Sequence, residues 1–249
     1  MTQSLAEEPI HVRVPSPGPE LALNPAAIKL EAELREQLTR IGKAMHLLGY
    51  TPATAGNLSV RLDSQRILAT PTGCSKSMLQ PSDMVIVDLD GHKLSGQRKV
   101  TSEIGMHLAV YRARPDVQAI VHAHPPIATA FAACRKPLDQ PICSEIMMTT
   151  GLVPLAEYAT TGTEEVSESL QPFVLTHDAI LLANHGLLTY GETLMDAFMK
   201  TETVEHFAQV CLAAHQLGGA VPLEDADLEK LRRAKSRYQR NASDDPCNA

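Results

Sequence analysis

The sequence has no tryptophan and only four phenylalanines and five tyrosines. So sparse an aromatic set argues against a stacking surface for single-stranded nucleic acid. Basic residues are outnumbered: 22 Lys and Arg stand against 29 Asp and Glu, giving a formal net charge of -7, and no long Lys/Arg run occurs. That balance speaks against the electrostatic footprint of a nucleic-acid binder. An anionic ligand would have to sit in a small local pocket. No Walker or dinucleotide glycine pattern is present, so no nucleotide is expected. The cysteines, Cys74, Cys134, Cys143, Cys211 and Cys247, are odd in number, widely spaced and without a CxxC pair. They suggest neither a disulfide framework nor a thiolate zinc site, and fit a reducing compartment. No apolar stretch approaches the roughly 18 residues of a membrane span. The opening MTQSLAEEPIHVRVPSPGPE lacks a basic start followed by an apolar run, so no secretory leader is expected and a cytoplasmic location is.

What is present is an ordinary globular composition, 44% apolar over 249 residues, enough for one large domain or two small ones. Residues 1–25 carry five prolines and read as an extended arm. Residues 26–224 form the main domain, and 225–249 a charged helical tail. Within the domain the pattern changes every few turns. Apolar residues at helical spacing cover 26–48 and end at Gly49. Strand-like runs follow at 57–62, 66–71 and 84–89, with Asp90-Gly91 as a turn. Helical patterns at 102–113, 126–133, 164–175 and 194–217 alternate with short strands at 117–122, 179–183 and 187–190. Such mixing predicts one α/β domain with helices on both faces of a mixed sheet.

The segment VQAIVHAHPP carries the strongest chemical signal. A strand points residues i and i+2 to the same side, so His122 and His124 can present both imidazoles in one direction. A second strand runs out into Asn184-His185-Gly186, where Gly186 lets the backbone turn away. Three imidazoles from two strand ends suit zinc or a similar ion and leave a coordination position open, as in catalytic sites. The competing reading is a chance pair or a hydrogen-bonded core pair. His46, His107 and His206 fall inside helical patterns and read as surface or core residues.

KVTSEIGMHLAVY opens a helix with Thr101 or Ser102 as N-cap and Glu103 in the first turn. The helix dipole alone accounts for a carboxylate there. The same start also offers N–H groups and hydroxyls to an anion. Gly56-Asn57 and Thr72-Gly73 have matching chemistry. With Thr101 and Ser102 they could form an uncharged cradle for a phosphate.

GNLSVRL, ATPTG, TSE, HAHP and NHG, in this order and spacing, resemble the class II aldolase/adducin family from about residue 30 to 217. The resemblance implies a three-layer αβα sandwich with a central mixed, largely antiparallel sheet. It implies a homotetramer with active sites between subunits. It places one divalent metal, zinc with manganese or cobalt as alternatives, on His122, His124 and His185. Glu103 becomes the catalytic acid/base, and Gly56, Asn57, Thr72, Gly73, Thr101 and Ser102 the phosphate pocket. The implied reaction is aldol cleavage of a ketose 1-phosphate to dihydroxyacetone phosphate and an aldehyde, through a metal-bound enediolate. The family's epimerases carry Asp where this chain has Glu103. Sugar-phosphate 4-epimerisation, decarboxylation of a keto-acid phosphate, and a non-catalytic adducin-like module are the alternatives. The chain departs from the fuculose-phosphate aldolases at PICSEIMMTT, which has no tyrosine. Glu145 there, and Tyr238 in the tail, are the candidates for the aldehyde end, although Glu145 also reads as a surface carboxylate.

Overall fold

The computed structural model describes residues 25–243, with side chains as far as residue 235. The proposed arm therefore lies outside the described residues, apart from Pro25. The elements run α1 Pro25–Leu47, β1 Asn57–Arg61, β2 Arg66–Ala69, β3 Val85–Asp88, β4 Lys93–Ser95, α2 Ile104–Ala113, β5 Ala119–Ala123 and α3 Pro126–Ala133. The second half adds α4 Ser144–Met148, β6 Leu155–Ala156, α5 Glu164–Leu170, β7 Ala179–Leu182, β8 Gly186–Gly191, α6 Leu194–Gln216 and α7 Asp225–Ser243.

The eight strands among the described residues form one sheet in the order β4-β3-β2-β1-β5-β8-β7-β6. Only β6 and β7 pair in parallel; every other neighbour is antiparallel. The expected mixed, largely antiparallel sheet is what forms.

Alternation along each strand builds the three layers. In β1, Leu58 and Val60 pack with Leu38, Ile41 and Met45 of α1. In β7, Ile180 and Leu182 join Met106, Leu108 and Val110 of α2 and Val166 and Leu170 of α5. Ala179 and Leu181 face the other way, onto Ala128 and Ala132 of α3 and Val204, Phe207 and Ala208 of α6. Each face of the sheet thus has its own helical cover.

Three short elements, β4, α4 and β6, were not expected from the pattern. The helix expected over 164–175 stops at Leu170, because 171–176 continues as turns. No disulfide links the described cysteines, of which Cys74, Cys134, Cys143 and Cys211 are free.

One buried carboxylate ties α6 to α3. Pro125 holds the N-cap position of α3 and makes no side-chain cap bond, and Pro126 follows. Glu205, 2% exposed, accepts the N–H of Ile127 at 3.0 Å and of Ala128 at 2.8 Å instead. It supplies both a cap and a negative charge at the positive helix end. Glu205→Ala leaves one buried and one part-buried donor unpaired and is expected to cost on the order of 3 kcal/mol. A lowered urea midpoint with unchanged slope is the check; an unchanged midpoint would show that water replaces the carboxylate.

Candidate metal centre

The site lies at the rim of the sheet where β5 runs out and the β7–β8 hairpin turns. β5 pairs with β1 so that His122 stands opposite Asn57, and with β8 so that it stands opposite Leu188. His124 falls just beyond β5, its N–H donated to Tyr50 O at 2.8 Å. His185 sits in the hairpin turn, after Asn184 in the left-handed region at φ 56°. Asparagine tolerates that conformation. The turn is pinned to the end of α3 by Asn184 N–H to Ala132 O at 3.1 Å and by Arg135 Nε to Asn184 Oδ1 at 2.7 Å.

Gly186 does a different job from the one expected. The chain turns at Asn184, and Gly186 opens β8. A Cβ on Gly186 would lie 2.6 Å from Ala123 O and 2.7 Å from His124 Cδ2. The glycine is there so that the His124 ring can lie against the strand.

The three rings bring their Nε2 atoms together. His122 Nε2 lies 3.0 Å from that of His124 and 3.2 Å from that of His185. Among the described residues these three histidines form one of two clusters that could hold a metal ion. The other, Asp88, Asp90 and His92, is a largely exposed hairpin turn whose carboxylate Asp88 is taken up by bonds to Asp90 and His92. The donor chemistry of the first cluster fits a metal. A tetrahedral zinc with Zn–N near 2.05 Å sets neighbouring ligand nitrogens about 3.3 Å apart, close to the observed spacings. His122 Nδ1 donates to Leu187 O at 3.0 Å, which leaves Nε2 with its lone pair. Burial holds His122 well below the usual imidazole range, and pushes His124 down to about 4. Both rings are neutral at neutral pH, the form a metal requires.

Glu103 faces this cluster. Its Oε1 lies 3.1 Å from His185 Nε2 and its Oε2 3.5 Å from His122 Nε2. Asn57 Nδ2 donates to Oε2 at 2.8 Å. Burial opposes ionisation, but the two histidines and the Asn57 amide hold the carboxyl below its usual range. The expected helix start needs correction. Glu103 is itself the N-cap residue of α2, and neither Thr101 nor Ser102 is. Its carboxylate makes no cap bond, because the side chain is drawn to the histidines.

Of the expected phosphate cradle, Gly56, Asn57 and Thr101 are buried, while Thr72, Gly73 and Ser102 are exposed. The N–H groups of Thr72 and Thr101 are spent on Lys99 O and Thr70 O. Their hydroxyls are what remains for a ligand. Gly56, at φ 72°, packs against Thr51 and the His122 carbonyl, where a Cβ would lie 2.5 Å from Thr51 Cγ2 and 2.8 Å from His122 O. Three residues beyond Gly73 stands a buried cation. Lys76, 1% exposed, donates from Nζ to Thr54 O at 3.2 Å and to Cys74 O at 2.9 Å, tying the two loops that flank it. Burial pushes this ammonium down to about 8, while Cys74 and Glu103 pull it up. A lysine in a polar loop reads as a solvated charge, and nothing in the local pattern marks it as buried.

Glu145 is not brought to the histidines. It is exposed in the first turn of α4 and lines a cavity of about 360 Å³ with Cys143, Met199, Glu202 and His206. No histidine-site residue lines that cavity. Tyr238 belongs to α7, and its side chain lies outside the described residues.

Residues 36–212 match the profile of the Class II Aldolase and Adducin N-terminal domain. The chain is 37% identical over 202 residues to the 3-oxo-tetronate 4-phosphate decarboxylase of Haemophilus influenzae, covering 78% of this chain and 95% of that one. It is 34% identical over 206 residues to the 5-deoxy-D-ribulose 1-phosphate aldolase of Bacillus thuringiensis, covering 82% and 96%. A solved L-fuculose 1-phosphate aldolase superposes with a TM-score of 0.77 at 34% identity, covering 83% of this chain and 96% of that one. With its histidine cluster, its mixed eight-stranded sheet and these likenesses in place, the chain belongs to the class II aldolase and adducin family.

Proposed function

We propose that the chain is a divalent-metal-dependent lyase, zinc being the natural ion for three imidazoles, that breaks the carbon–carbon bond beside the carbonyl of a short ketose 1-phosphate. Its products would be dihydroxyacetone phosphate and an aldehyde. The observation that carries this reading is the meeting of three Nε2 atoms with one carboxylate that accepts hydrogen bonds.

His122, His124 and His185 would hold the ion. When bound, it supplies Lewis-acid stabilisation for negative charge on the substrate's carbonyl oxygen. Glu103 acts at the carbon beside that carbonyl. In condensation its carboxylate removes the proton; in cleavage it returns one. Asn57 fixes one carboxylate oxygen by donating to Oε2. The hydroxyls of Thr72, Thr101 and Ser102, with Gly56, Asn57 and Gly73, would seat the phosphate and so orient the reacting carbon.

A second reading, loss of carbon dioxide from a 3-keto sugar-acid phosphate, has two observations in its favour. Aldol cleavage must take a proton from the hydroxyl on the departing carbon; decarboxylation has no such proton to remove. The segment 141–150 contains no tyrosine for that task, and its Glu145 lines a different cavity. The identity to a decarboxylase points the same way.

A panel of ketose 1-phosphates and 3-keto sugar-acid 4-phosphates, assayed with zinc, manganese and cobalt, separates these. Triose-phosphate release supports the aldolase. Carbon dioxide alone would replace it with the decarboxylase, and an epimer with neither would sink both. Assembly as a homotetramer belongs to the same proposal, since exposed Met195, Met199 and Leu212 on α6 offer apolar surface to a second copy. So does the cytoplasmic location; no described helix is long and apolar enough to cross a membrane.

Lys76 gives a pH prediction. Its charge is present below about 8 and lost above it, so attraction for the substrate phosphate weakens as pH rises through that value. The KM for a phosphorylated substrate should therefore climb above pH 8. Lys76→Met should raise KM by roughly tenfold at pH 7 through the loss of one buried charge, and should flatten the climb. Folding stability moves oppositely: it rises between about 8 and 10.5, because the unfolded chain binds this proton more tightly. A KM profile of Lys76→Met that overlays the parent's would remove the lysine from substrate binding.

A further inference from the structure

Glu103, His107 and Tyr111 are spaced four apart from the start of α2 onward, so they share one helix face. Asn57 and Ser59, two apart on β1, share the strand face that meets it. Between the two faces runs an unbroken buried chain of hydrogen bonds. Asn57 Nδ2 meets Glu103 Oε2 at 2.8 Å. Asn57 Oδ1 lies 2.6 Å from His107 Nε2, His107 Nδ1 lies 2.6 Å from Ser59 Oγ, and Ser59 Oγ lies 3.0 Å from Tyr111 OH.

The polarity of this chain is determined link by link. A carboxylate only accepts, so Asn57 presents its NH2 to Glu103. Its carbonyl oxygen then faces His107 and can only accept, so Nε2 carries a proton. His107 is fully buried with no carboxylate among its hydrogen-bond partners, and burial pushes it down to about 4. The ring is therefore neutral, and Nδ1 accepts from the Ser59 hydroxyl. Ser59 Oγ, its own hydrogen spent, accepts from Tyr111. Tyr111 is anchored in turn by Arg61, which lies 4.8 Å over its ring and donates to its carbonyl oxygen at 2.9 Å.

We propose that His107 is a positioning residue: a neutral imidazole, protonated on Nε2, that sets which way the Asn57 amide faces and thereby holds the Glu103 carboxylate in place. The opposite tautomer would turn the amide over and set its oxygen against a carboxylate oxygen at 2.8 Å, two acceptors in contact. The tautomer of a helix histidine thus decides whether the acid/base is held or repelled. A core needing only stability gains little from this arrangement, because apolar groups of the same shape replace such pairs at nearly no cost. This inference rests on the reading of Glu103 as the acid/base.

Two arms test it on the full-length, metal-loaded protein. In the first, nitrogen NMR of 15N-histidine protein, with His107 assigned by its disappearance in His107→Gln, should show a neutral ring protonated on Nε2 at pH 7. A ring protonated on Nδ1, or an imidazolium, would overturn the proposal even if no turnover were ever found. In the second, His107→Leu should lower kcat about a hundredfold through a misplaced carboxylate, with metal content unchanged. His107→Gln, which keeps a donor for Asn57 Oδ1, should recover most of the loss. A folded His107→Leu with the parent's kcat would overturn the positioning role. If the parent itself turns over no sugar phosphate, the functional reading fails while the first arm still decides the wiring.

Discussion

Replacing Glu103 by glutamine is expected to lower turnover by between about 10² and 10⁴, the usual worth of a positioned general acid/base, while metal content stays at the parent's level. Glutamine matches the shape of the side chain, and its amide oxygen can still accept from Asn57 Nδ2. What it cannot do is take a proton. The cleanest measurement isolates that act: dihydroxyacetone phosphate incubated with the protein in deuterium oxide should exchange a hydrogen at its hydroxymethyl carbon. The parent should exchange it and Glu103→Gln should not. This half-reaction needs no aldehyde, so it separates the proton transfer from the departure of the aldehyde half. Exchange by the variant at the parent's rate would remove Glu103 from the chemistry and leave it as the stabilising neighbour of His185, 3.1 Å away.

The parts of this site that were legible in the sequence are those that lie on strand ends. HAH and NHG follow apolar runs, and period-2 geometry places their side chains without knowledge of the fold. The helical cover was legible for a similar reason: α1 carries an apolar stripe whose buried members include Leu38, Ile41 and Met45. What escaped was polar and buried. Asn57 and Ser59 alternate with Leu58 and Val60, a pattern that reads as one wet face and one dry face. In the fold both faces are covered, and the polar one is closed by His107 and Tyr111. The available signal was the coincidence of Asn and Ser two apart on a strand with Glu, His and Tyr four apart on a helix. Glu205 and Thr201 were hidden likewise. They continue the buried face of α6 formed by Leu194, Ala197, Phe198 and Val204, where a charge or hydroxyl breaks the apolar pattern from which burial is inferred. The elements β4, α4 and β6 escaped for separate reasons: β4 is exposed along its whole length, β6 is two residues long, and the five residues of α4 do not complete two helical turns.

His124→Ala and His185→Ala should each lose the metal. Altering a group that merely orients a ligand costs roughly 10–100-fold in affinity, and removing one of three ligands outright should exceed that. Gly186→Ala offers the sharper test because it deletes no ligand. Its new Cβ would lie 2.6 Å from the Ala123 carbonyl and 2.7 Å from His124 Cδ2. The backbone carbonyl sits within the β5–β8 pairing and cannot readily retreat, whereas the imidazole can swing. The ring then leaves the meeting point of the three Nε2 atoms, so a methyl group on a residue with no donor atom should weaken metal binding by roughly 10–100-fold. Competition against a chromophoric chelator would measure all three variants on one scale, and elemental analysis would give the stoichiometry. Parent-like affinity in His124→Ala would show that the close nitrogen spacings belong to a hydrogen-bonded histidine cluster. Parent-like affinity in Gly186→Ala alone would show instead that the strand gives way and the ring keeps its place.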